Sequence, residues 1–109
     1  MSIEDKNKID IISTRKSNGA VVLTISDHLD WEDVTLHLKI LQDKLNSYIA
    51  FIEGGQIFID YPKSKDKQLI IEIVSQQEYT KEGIEFLEKA KPIIQSIGAD
   101  LKQRVLKAI

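Results

Sequence analysis

The order of apolar and polar positions divides the chain into six segments. After a polar start, Ile9-Asp10-Ile11-Ile12-Ser13-Thr14 is a short strand pattern and Ala20-Val21-Val22-Leu23-Thr24-Ile25 a longer, β-branched one. Ser17-Asn18-Gly19 stands between them, and Asn-Gly favours the positive φ values of tight hairpin turns. These segments predict a β-hairpin. From Trp31 the period changes: Trp31, Val34, Leu38, Leu41, Leu45, Tyr48 and Ile52 recur at spacings of three and four, one stripe of an amphipathic helix. Asp30 is placed to cap its start, with Asp33 near the positive end of the dipole. Glu53-Gly54-Gly55 ends it. At 1.5 Å per residue such a helix is ~34 Å long.

The second half repeats this layout. Gln56-Ile57-Phe58-Ile59-Asp60-Tyr61 and residues 68–75 read as strands joined by a lysine-rich loop, a second hairpin. Thr80 then caps a second helix with Leu87, Ala90, Ile94 and Ile97 on one face and Gly98 as its stop. Pro92 falls inside that helix and is expected to kink it. The tail from Ala99 to Ile109 reads as helical or loose.

The resulting order, β-β-α-β-β-α, implies one α+β domain over residues 9–109 after a flexible start at 1–8. Short connections and right-handed crossovers predict a four-stranded antiparallel sheet in the order 1-2-4-3, with both helices on one face. That face would bury Val21, Leu23, Ile25, Ile57, Ile59, Tyr61, Leu69, Ile71 and Ile73. The other would carry Ile12, Val22, Thr24, Phe58, Ile70 and Val74 beside Asp60 and Glu72. Strict alternation makes a solvated face polar, and a half-apolar one marks an interface. Those six residues are the expected contact surface, for a homodimer or for another protein.

Composition narrows the class. The chain has 109 residues, 42% of them hydrophobic and 29% charged, as in a soluble single domain. Lys and Arg number 15 against 17 Asp and Glu, a net charge of −2, so no basic footprint for nucleic acid is visible. With no cysteine, disulfides and thiolate metal ligands are excluded. The start lacks the apolar core of a signal peptide, and no apolar run reaches the ~20 residues that span a bilayer. The expectation is a cytoplasmic protein with no membrane association.

Candidate chemistry gathers where the first hairpin gives way to the long helix. Asp27, His28, Asp30, Asp33 and His37 are the candidate catalytic residues of a small enzyme. Asp30, Asp33 and His37, one turn apart, match what zinc or manganese accepts. Capping and dipole roles account for the same carboxylates with no added assumption, and Asp33–His37 reads as an exposed pair. No metal or other cofactor is therefore expected, and Trp31 is read as a core anchor. Ser26-Asp27-His28 holds the residue types of a hydrolase triad, but chain neighbours cannot adopt its relay geometry.

The run Thr24-Ile25-Ser26-Asp27-His28-Leu29-Asp30-Trp31 resembles a group of small uncharacterised bacterial proteins classed as a domain of unknown function. The likeness continues through His37-Leu38, Leu41-Gln42, Lys44-Leu45-Asn46, Tyr48, Phe51-Ile52-Glu53, Ile57 and Tyr61-Pro62, about half the chain. It implies a compact bacterial protein and brings no activity or site residues. The reading from sequence is a non-enzymatic interaction module, with an immunity-like role as one version and a small enzyme or metal-binding protein as the alternative.

Overall fold

Four strands and three helices follow one another as β1 (Ile11–Thr14), β2 (Val21–Asp27), α1 (Val34–Glu53), α2 (Gln56–Asp60), β3 (Leu69–Ser75), α3 (Lys81–Ser96) and β4 (Ala99–Val105). The computed structural model describes residues 3–5 and 8–106. The sheet order is β1-β2-β3-β4. β1 is antiparallel to β2, whereas β2, β3 and β4 run parallel, in register from Val21↔Leu69↔Ala99 to Asp27↔Ser75↔Val105.

The fold is thus α+β with four strands, but the expected antiparallel order 1-2-4-3 is replaced by a mixed sheet in sequence order. Two segments account for the difference. Gln56–Asp60 is a short helix: Gly55, at φ 79°, opens it, and Pro62 begins a 3-10 turn directly after Tyr61. A strand here would have had no place beside β2, whose edges are taken by β1 and β3. Ala99–Val105 is a strand, not a helical or loose tail; Gly98, at φ 88°, ends α3 and turns the chain into it. Residues 107–109 lie outside the described residues.

Each parallel pair is joined through a helix, and both crossovers advance across the sheet in the same direction. With the usual right-handed connection this places α1 and α3 on one face. The core lies between: Val21, Leu23, Ile25, Leu69, Ile71, Ile73 and Leu101 of the sheet meet Leu41, Leu45, Tyr48 and Ile52 of α1 and Leu87 and Ile94 of α3. Thr80 caps α3 as expected, its side chain accepting from the Gly83 amide, and the helix continues through Pro92. α1 begins later than expected, with Asp33 as its cap; Asp30 instead accepts from the Glu32 amide in the turn before. No helix among the described residues is long and apolar enough to cross a membrane.

The buried stripe of α1 also contains His37 and Lys44. Lys44 Nζ donates to the carbonyls of Asp5 and Lys8, both at 2.7 Å, and lies 3.0 Å from the Asp10 carboxylate. Tyr48, one turn on, donates to the Thr24 carbonyl and accepts from the Asp10 amide. Ile3, within the stretch expected to be flexible, is fully buried, and its amide donates to the Ser26 carbonyl. Residues 1, 2, 6 and 7 of that stretch lie outside the described residues.

Among the described residues no helix lies over the opposite face of the sheet. Val22 (4% exposed) and Ile70 (1%) are nonetheless buried there. Arg15 faces Ala20 across the hairpin, yet its guanidinium reaches Glu72 of β3 at 3.5 Å. To do so its stem must cross β2 over these two side chains, the usual way a long cationic residue covers apolar surface. Arg104 meets the same Glu72 carboxylate from the far side, also at 3.5 Å. Thr24 and Val74 share this face. Two residues assigned to it do not: Ile12 pairs with Leu23 and so points toward the helices, and Phe58, 41% exposed, sits on α2.

Candidate functional site

Asp27 is the last residue of β2, at the carboxyl end of the parallel strands, where open α/β sheets form their ligand sites. One carboxylate oxygen accepts from the Leu29 amide at 3.1 Å and starts the loop toward α1. The other, Oδ2, accepts from the Tyr79 hydroxyl at 2.6 Å and lies 2.7 Å from His37 Nε2. Three segments therefore close on one oxygen: the end of β2, the first turn of α1 and, some fifty residues later, the approach to α3.

The second imidazole nitrogen fixes the tautomer. His37 Nδ1 is 2.8 Å from the Asp30 carbonyl, which can only accept, so Nδ1 carries a proton. One further proton lies between Nε2 and Asp27 Oδ2. Whether written as imidazolium and carboxylate or as imidazole and carboxylic acid, the pair carries no net charge, which suits its burial: Asp27 is 1% and His37 2% exposed. Burial, and then the Asp27 carboxylate, push the Tyr79 hydroxyl far above the usual tyrosine range, so it remains a donor.

Aromatic rings seal the group. The Trp31 indole stacks on His37 and meets Tyr79 edge-on at 4.9 Å between centroids and 74° between planes. Gly83 of α3 lies against the indole so closely that a Cβ there would be 2.7 Å from Cη2. The indole Nε1–H is buried and has no hydrogen-bond partner among the described residues. Beside the stack an open cleft of about 260 Å³ is lined by Glu4, His28, Leu29, Asp30, Asp33, Leu36 and Ile40, and His37 also borders it.

Of the five sequence candidates, only Asp27 and His37 meet through their side chains. Asp30 contributes its backbone carbonyl, and Asp33 spends its carboxylate on the Leu36 amide. His28 turns outward, its Nε2 3.3 Å from Glu4 Oε1. The expected exposed Asp33–His37 pair is not formed: His37 points inward because position 37 is one turn before the buried Leu41. Among the described residues no three His, Asp or Glu side chains are arranged to hold a metal ion. Tyr79 and Gly83 were not anticipated, and nothing in their spacing ties them to a residue some fifty positions earlier. Lys44 was legible in principle, since it falls on the α1 stripe.

With both imidazole nitrogens and both Asp27 oxygens engaged inside the protein, the cluster is built to hold three segments together. The model of a family of unknown function, DUF6572, matches residues 1–107. The chain belongs to this family. No curated protein and no solved structure matched it. Membership in DUF6572 brings no activity with it, so the chemistry of this member is read from its own geometry.

Proposed function

We propose that this protein is a non-enzymatic interaction module, working as a homodimer or bound to another protein, and that the uncovered face of its sheet is the surface it presents. The observation that carries the reading is the construction of that face: among the described residues no helix lies over it, and Arg15 and Arg104 both reach Glu72 there, beside the buried Val22 and Ile70. A surface that layers charge over β-branched residues offers shape and ionic complementarity together. Two guanidinium groups share one carboxylate there, so a partner bearing carboxylates fits it. The engagement of His37 and Asp27 adds support, because both imidazole nitrogens and both carboxylate oxygens are already bonded within the protein.

The test is cross-linked capture from the native cell. Wild type should yield a protein cross-linked through Lys102, which is exposed on that face. Thr24→Arg, which places bulk and charge at its centre, should lose that protein while keeping the fold by circular dichroism. Leu36→Arg, on exposed α1 surface, should keep it. Capture unaffected by Thr24→Arg, or cross-links confined to the helical side, would overturn the reading.

A further inference from the structure

The edge strand β4 carries information that the uncovered face does not. We infer that two copies of this chain join edge to edge through β4, antiparallel about Leu101, into one continuous eight-stranded sheet. This goes beyond the interaction-module reading: it places a second copy at the sheet edge, a different surface, and leaves the uncovered faces free.

Backbone direction comes first. The Leu106 amide donates to the Ser75 carbonyl, and the Arg104 carbonyl accepts from Ser75 Oγ, so the even-numbered residues of β4 address β3. Strand backbone groups alternate in direction. Ala99, Leu101, Gln103 and Val105 therefore point their N–H and C=O groups outward, and no strand pairs with that edge among the described residues. At seven residues it is as long as either central strand. Such an edge is a ready template for another strand.

Register follows from charge. An antiparallel pair centred on Leu101 sets Asp100 opposite Lys102 of the second copy, twice by symmetry, on the uncovered face. These are the non-hydrogen-bonded positions, where side chains approach most closely. Leu101 meets its own counterpart on the helix side, and Gln103 faces Ala99. Moving the centre to Lys102 would oppose two lysines and weaken the pair. Beside the edge, a groove of about 210 Å³ runs between α3 and β4, with Leu87 and Leu101 in it and Ile84 40% exposed at its rim. The second copy's α3 would lie over that rim.

Asp100 has a role in the single chain too. Its carboxylate accepts from the outward Leu101 amide at 2.9 Å and lies 3.8 Å from Lys91 Nζ. Joining exchanges this internal bond for the one to Lys102 and frees the Leu101 amide for the second copy.

Light scattering at about 100 µM, where a modest self-association is populated, should give twice the 12.4 kDa chain mass. Asp100→Lys and Lys102→Asp should each return it to one chain mass, and the double exchange should restore the dimer. Rescue instead by exchanging Asp100 with Arg104 would move the centre to Lys102 and overturn the proposed register. Wild type that stays monomeric overturns the inference and means the charges only guard the edge. A dimer lost with Thr24→Arg but indifferent to Asp100 and Lys102 also overturns it, while keeping the uncovered face as the contact surface. A β4 dimer with no face-directed capture does the reverse.

Discussion

The imidazole of His37 lies nearly flat on the indole of Trp31, with ring centroids 3.7 Å apart and planes inclined by 22°. One side of the imidazole is thus closed by an apolar ring while both its nitrogens are held in the ring plane by Asp27 and Asp30. A side chain so placed is structural cement between β2, α1 and the start of α3.

Replacing His37 with Ala should therefore lower stability by about 3–5 kcal/mol, because it opens a cavity under the indole and leaves the Asp27 charge unpaired. The exposed Asp33–His37 pair expected from the sequence would instead make this change nearly silent. Urea denaturation decides between them, and Asp27→Asn with His37→Ala should cost less than the two single changes added together.

Gly83→Ala should destabilise by about 1–3 kcal/mol through overpacking. The new methyl would meet Trp31 Cη2 at 2.7 Å, Cζ2 at 2.9 Å and Tyr79 Cδ2 at 3.1 Å, so the indole must shift. As Trp31 is the sole tryptophan, its fluorescence reports that displacement directly. Unchanged emission and stability would mean the stack is looser than described.

Lys44→Met should cost about 3–5 kcal/mol, since it strands a buried carboxylate at Asp10. Adding Asp10→Asn should recover part of the loss. In Lys44→Met the segment around Asp5 and Lys8 also loses its anchor. Hydrogen exchange at the Ile3 amide should rise before the core amides follow.

Alkaline pH should destabilise the fold in a defined window. Burial raises the Tyr48 hydroxyl to about 12, and Tyr79 is raised further. Both groups hold their protons more tightly folded than unfolded, so their contribution is complete below the ordinary tyrosine value near 10 and falls as pH rises past it. For Tyr48 the loss amounts to about 2 kcal/mol by pH ~12. Tyr48→Phe should flatten that part of the stability curve measured between pH 9 and 12.

What the sequence disclosed depended on how local the cause was. The first hairpin, the α1 stripe and the Thr80 cap are set by neighbours within a few residues, and each forms. Ile57, Ile59 and Tyr61 alternate like a strand, but the six residues between Gly55 and Pro62 can close a helical turn just as well; Ile57 is buried in the core, Tyr61 packs partly against it and Ile59 is exposed. Ala99, Leu101 and Val105 also alternate; Gln103 breaks the series and hid the strand. Once β4 is missed, the α3 connection loses its destination and the parallel topology cannot be inferred. For the buried cluster, the polarity of His37 and Lys44 concealed positions that the period of α1 had already assigned to the interior. Tyr79 is brought to Asp27 by tertiary closure alone.

The parallel pairing of β2 with β3 also governs how the chain finds its structure. Val21 and Leu69, the first partners in that ladder, are about 50 residues apart, so the centre of the sheet cannot begin to assemble until a long loop has closed. Early formation of α1 shortens that search by making twenty of those residues one rigid rod. Closure of that loop is thus the step on which the central ladder waits, while the β1 hairpin needs only the six-residue connection from Arg15 to Ala20 to close.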